Sequence, residues 1–121
     1  MLRNPRYVLA VHDLQRTVRY YRDVLGFRQL DIDAPGWAFL LRDGCYVMAG
    51  ECADALPAKE LGDHSYVAYI EVEEIDAFYA EVLAKGATTI KPLRDEPWRM
   101  REFGIRTVDG HRIMFGSPIA P

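Results

Sequence analysis

The chain has 121 residues, half of them hydrophobic and 27% charged, which is the composition of one compact globular domain and not of a disordered segment. Its apolar runs, such as Trp37 to Leu41, fall far short of the ~20 residues a membrane-spanning helix needs, and Met1-Leu2-Arg3-Asn4-Pro5-Arg6 lacks the apolar core of a secretory signal. A net charge of -3 argues against nucleic acid as a partner.

In chain order, residues 6–11 alternate as a half-buried strand and run into a helix that Asp13 can cap. Leu14, Val18, Tyr21 and Leu25 form one apolar stripe on that helix, and Gly26 follows it. Residues 27–33 and 36–42 predict two more strands, and Asp43-Gly44 predicts a hairpin turn into a fourth, 45–50. A polar connection, 51–64, comes next, and then the order repeats. Strand 66–72 leads into a helix with Ile75, Phe78, Tyr79 and Val82 on one stripe and Gly86 past its end. Strands 87–91, 99–107 and 110–116 complete the chain, the last two joined by Asp109-Gly110. The two Asp-Gly turns stand 66 positions apart. The expected fold is α+β, a single domain over 1–121 built from two tandem βαβββ modules, about 5–50 and 65–117.

Alternation assigns the strand faces. Tyr7, Leu9, Val11, Cys45, Val47, Ala49, Ala68, Ile70, Val72, Ile113 and Phe115 share the parity expected beneath the helices. The opposite parity carries Arg6, Val8, Ala10, Tyr46, Met48, Val67, Tyr69, Glu71, Arg112 and Met114, a mixture suited to a small-molecule pocket. Glu71 there is either a general base or a pairing partner for Arg6 or Arg112. His12, His64 and His111 fall in turns and connections without metal-site spacing, and read as surface or turn residues. Cys45 and Cys52 accompany no Cys-His motif, so reduced thiols and a cytoplasmic location are expected.

Val11-His12-Asp13-Leu14, Tyr20-Tyr21-Arg22-Asp23-Val24-Leu25-Gly26-Phe27 and Val108-Asp109-Gly110-His111-Arg112 resemble the signatures of the vicinal oxygen chelate superfamily. That group includes glyoxalase I, extradiol dioxygenases, and fosfomycin- and bleomycin-resistance proteins. The resemblance implies curved mixed sheets around a cavity, helices on the outer face, and a homodimer. Metal-using members take His, Glu or Gln ligands from the first and last strand of each module. The matching positions here are Arg6, Met48, Val67 and Met114, none a usual ligand for a catalytic divalent cation. No metal and no cofactor are therefore expected.

Gly36-Trp37-Ala38-Phe39-Leu40 and Pro97-Trp98-Arg99-Met100-Arg101-Glu102-Phe103 resemble segments that border the drug groove of bleomycin-resistance proteins. Those proteins sequester a cationic, planar-ringed drug. Arg99 stands where related proteins often carry glycine, and its bulk would narrow such a groove. The expected ligand-binding set is Trp37, Phe39, Tyr46, Met48, Tyr69, Glu71, Trp98, Arg101, Glu102, Arg112 and Met114. Aromatic faces suit planar or cationic ligands, and methionines adapt to varied shapes. The leading expectation is a metal-independent, dimeric small-molecule-binding protein. Two alternatives stay open: a metal-dependent glyoxalase- or dioxygenase-like enzyme, and a non-catalytic partner subunit. Fold alone does not separate them.

Overall fold

The computed structural model describes residues 1–62 and 64–120; Asp63 and Pro121, within the expected domain, lie outside the described residues. In chain order the elements are β1 (Tyr7–Val11), α1 (Leu14–Asp23), β2 (Arg28–Gln29), β3 (Trp37–Arg42) and β4 (Cys45–Glu51), then β5 (Tyr66–Glu71), α2 (Ile75–Ala84), β6 (Thr88–Asp95), β7 (Met100–Arg106) and β8 (Arg112–Pro118). The β-α-β-β-β order occurs twice. A 3-10 turn, Ala58–Glu60, lies in the connection.

Each module forms a four-stranded mixed sheet, in the orders β1-β4-β3-β2 and β5-β8-β7-β6. Hairpins make the β2–β3–β4 and β6–β7–β8 pairings antiparallel, while the helical crossover makes β1–β4 and β5–β8 parallel.

Local chemistry accounts for most boundaries. The Asp13 carboxylate accepts from the Arg16 amide at 3.1 Å, which caps α1 as its side chain allows. Gly26 and Gly86 leave the helices at φ +75° and +103°, a conformation that costs glycine least. α2 opens without a side-chain cap, and Glu74 takes φ +55° at the strand-to-helix turn.

Two strands differ from expectation. β2 is only two residues long, although Leu30 still donates to the Phe39 carbonyl at 2.8 Å. β6 runs four residues beyond its expected end and passes through Pro92. Its pairing with β7 is irregular between Thr89 and Lys91 and again between Lys91 and Arg94. As the edge strand of its sheet, it tolerates a residue without a ladder donor.

Leu9, Val11, Val47, Ala49, Ile113 and Phe115 are buried with Val18, Tyr21, Ile75 and Val82 of the helices, as their parity predicts. One apolar cluster spans both modules. At its centre the Phe103 ring stacks on Phe115 with centroids 5.0 Å apart and meets Tyr79 at 4.8 Å. Truncating such a buried ring to alanine costs ~3–5 kcal/mol. Polar ties also join the modules: Asp109 accepts from Thr17 at 2.8 Å and from Arg16 at 3.3 Å, while Arg42 donates to Glu81 at 2.7 Å.

Candidate functional site: an aromatic face and an intermodule cavity

The sheet faces turned away from the helices stay open in the single chain. Val8, Trp37, Tyr69 and Trp98 are 58%, 41%, 51% and 59% exposed. Exposed aliphatic and aromatic groups on one face of each sheet are a binding surface more often than a solvent surface.

In the second module this face is organised around Glu102. Its side chain is buried in the middle of β7 and accepts three hydrogen bonds. Tyr69 Oη donates at 2.6 Å, Lys91 Nζ at 2.8 Å and Trp98 Nε1 at 3.0 Å. Burial alone would raise the carboxyl's pKa, but the three donors outweigh it and hold the group below its usual range. Tyr69 is pushed the other way, by desolvation first and then by its bond to the carboxylate. Lys91 also pairs with the buried Glu96 at 3.3 Å and lies 5.4 Å from the Trp98 ring centroid.

Glycine makes room for the aromatics in both modules. Gly50 is the register partner of Trp37, and a Cβ there would lie 2.9 Å from the indole ring. Gly116 is the partner of Glu102, and a Cβ there would lie 1.9 Å from the Tyr69 hydroxyl. These glycines also stand 66 positions apart, so each module lays a ring across its last strand at the equivalent place.

A cavity of about 1050 Å³ opens between the modules, with Tyr7, Tyr46, Tyr69, Glu71, Phe78 and Glu81 in its lining. Tyr69 and Glu71 thus belong to both the cavity wall and the open face. Arg6, at the cavity edge, places its guanidinium 4.1 Å over the Tyr46 ring.

Of the expected ligand-binding residues, the structure gathers Tyr69, Trp98 and Glu102 into one cluster. Met114 is the register neighbour of Tyr69, and Phe39 that of Met48. Trp37, Phe39, Tyr46 and Met48 lie on the sheet of the first module, and two arginines are engaged elsewhere. Arg101 alternates with Glu102 on β7 and turns toward α2, donating to Asp76 at 2.9 Å and to Asp95 at 2.8 Å. Arg112 is buried and donates to the carbonyls of Leu61 and Gly62 at 3.2 and 2.9 Å, fastening the connection to β8. Arg99 does not narrow the face: its guanidinium reaches the Ala120 carbonyl at 3.4 Å. Its φ of +68° is a glycine-favoured conformation, a physical reason for glycine at this place. His12 lies at the surface on the Ala55 carbonyl, as expected of a turn residue, but His111 is buried. Lys91 and Glu96 complete the cluster without having been expected there.

The four positions where metal-using relatives carry ligands hold a guanidinium stacked on a ring, two thioethers and a valine. Among the described residues, no three His, Cys, Asp or Glu side chains come together to hold a metal ion. This donor set does not fit a catalytic divalent cation.

No curated protein sequence matches the chain. Among solved structures it is similar to TioX from Micromonospora sp. ML1, at 27% identity and TM-score 0.75, over 95% of this chain and 99% of that one. TnmS3, an antibiotic binding protein from Streptomyces sp. CB03234, shares the fold at 20% identity and TM-score 0.72, over 98% of each chain. So does the fosfomycin resistance protein FosX from Listeria monocytogenes, at 13% identity and TM-score 0.69, over all of this chain and 95% of that one. The model of the Glyoxalase/Bleomycin resistance protein/Dioxygenase superfamily matches residues 4–115, and the chain belongs to that superfamily.

Proposed function

We propose that this protein binds and sequesters a small organic molecule with planar rings, without a metal ion and without chemical conversion. The observation that carries this reading is the convergence of Tyr69, Trp98 and Lys91 on Glu102. One buried carboxylate fixes the orientation of two aromatic side chains whose surfaces remain open to a ligand. Preorganised rings bind at less entropic cost than mobile ones. The antibiotic binding of TnmS3 supports the same reading.

The protein acts, in this proposal, as a cytoplasmic homodimer. The apolar residues left open on both sheets support a second copy covering them, so that each ligand is enclosed between chains. Both cysteines are free thiols, in keeping with a reducing compartment.

Titrating a panel of planar aromatic compounds against intrinsic tryptophan fluorescence tests the binding claim. Saturable quenching that weakens at least ~10-fold in Trp98→Ala, a change of about 1.4 kcal/mol, is the expected result. Conversion of a bound compound into product would replace sequestration with catalysis. Sedimentation of a monomer at ligand-binding concentrations would remove the second copy.

A further inference from the structure

The aromatic cluster already contains a cation. Lys91 Nζ lies 2.8 Å from Glu102 and 3.3 Å from Glu96; the lysine side chain is 14% exposed and the two carboxylates 5% and 7%. The same ammonium stands 5.4 Å from the centre of the Trp98 ring. A ligand cation seeking an aromatic wall needs the negative face of a ring and a nearby carboxylate as counter-charge. Both are engaged. Glu102 accepts from Lys91, Tyr69 and Trp98, and Glu96 takes Lys91 and Arg94.

The charges of Glu96 and Glu102 balance those of Lys91 and Arg94, so around Trp98 the cluster offers no net negative charge; Glu71, the further carboxylate of this face, acts on Tyr69. A second cation brought to Trp98 gains no net counter-charge there, and on the ring face that Lys91 occupies it meets the ammonium. An uncharged ring meets no such penalty. The Tyr69 oxygen, whose proton points to Glu102, keeps lone pairs to accept from a ligand hydroxyl.

We propose that Lys91 is a built-in counter-ion that sets the charge selectivity of this face, so that the site takes uncharged planar ring systems and rejects their cationic counterparts. This rests on reading the aromatic face as a small-molecule site.

Calorimetric titration with two ligands that share one ring system tests it: 9-anthracenemethanol, uncharged, and 9-(aminomethyl)anthracene, a cation near neutral pH. The wild type is expected to bind the alcohol at least ~10-fold more tightly, a difference of about 1.4 kcal/mol. Lys91→Met, which removes the ammonium from the Trp98 ring and leaves Glu96 and Glu102 without their shared counter-ion, reverses the order, while Lys91→Arg preserves it. Lys91→Gln removes the charge but keeps a donor for Glu102, and carries the same expectation if Lys91→Met does not fold. Equal binding of both ligands by the wild type, or a preference for the amine, overturns the selectivity claim and leaves the aromatic site standing. No binding of either ligand up to ~1 mM by folded wild-type protein removes the site and the claim together.

Discussion

Tyr69 and Gly116 occupy one another's space: the phenol crosses β8 where a Cβ on residue 116 would lie 1.9 Å from its hydroxyl. Tyr69 reaches Glu102 only because that Cβ is missing. The Gly116→Ala substitution must therefore displace the ring and lose the 2.6 Å bond to the carboxylate. Overpacking of this kind costs ~1–3 kcal/mol. Urea denaturation of Gly116→Ala in wild-type and Tyr69→Ala backgrounds measures the coupling. The expected penalty largely disappears in the second background; an equal penalty in both would contradict the relationship.

Glu102 contributes a pH dependence. Its carboxyl titrates below the ordinary value of 4.5: burial opposes ionisation, and the donated bonds from Lys91, Tyr69 and Trp98 outweigh it. A depressed folded-state value means the unfolded chain takes up the proton first as pH falls. The stabilisation is complete above pH 4.5 and declines as pH drops through the folded value. Thermal melts of Glu102→Gln should show a lower Tm at neutral pH, a loss of ~1–3 kcal/mol, and a shallower decline in acid than wild type.

His111 acts in a higher window. Burial lowers its pKa below 6.5, and the nearby Asp109 offsets only part of that. Its Nδ1 is buried and finds no hydrogen-bond partner among the described residues. The folded protein holds the imidazole neutral, so stability falls as pH drops below 6.5 and the unfolded chain protonates. Between about pH 7 and about pH 5, His111→Gln should lose less stability than wild type; parallel curves would show that His111 carries none of the slope.

Arg99 at φ +68° pays for a left-handed backbone that glycine adopts freely. Relief of that strain is worth ~1–2 kcal/mol, less the entropy glycine adds to the unfolded chain. Arg99→Gly should raise the denaturation midpoint or leave it unchanged, with ligand affinity unaltered because the guanidinium turns to Ala120. A large loss of affinity would place Arg99 in the site.

The modular fold was legible because its punctuation is local. Asp13 acts through its carboxylate, Gly26, Gly86 and the two Asp-Gly turns through the backbone freedom of their residues, and alternation in β1, β4 and β8, and in β5 beyond its register shift at Tyr66–Ala68, assigns the faces. The site was legible only in part. Tyr69 stands out by parity, and Trp98 and Glu102 by residue type within the segment 97–103, but Lys91 does not. It lies on a strand interrupted by Pro92 and two irregular pairings, where alternation fails. Charge places Arg101 in the expected set, and charge with strand parity places Arg112 there. Arg101 meets Asp95 across the β6–β7 pairing, but Asp76 and the carbonyls of Leu61 and Gly62 come from segments remote in sequence, beyond the reach of any local pattern. Gly50 and Gly116 gave no turn signal, because their role is clearance for a ring on a neighbouring strand.

The central claim is ligand binding by an aromatic face without a metal ion. Its most direct test is titration of chelator-treated protein with 9-anthracenemethanol, repeated after adding Mg, Mn, Fe, Ni or Zn. The account predicts the same affinity with and without metal, and at least ~10-fold weaker binding by Trp98→Ala in both. Binding or turnover that appears only when one metal is restored stoichiometrically would contradict it.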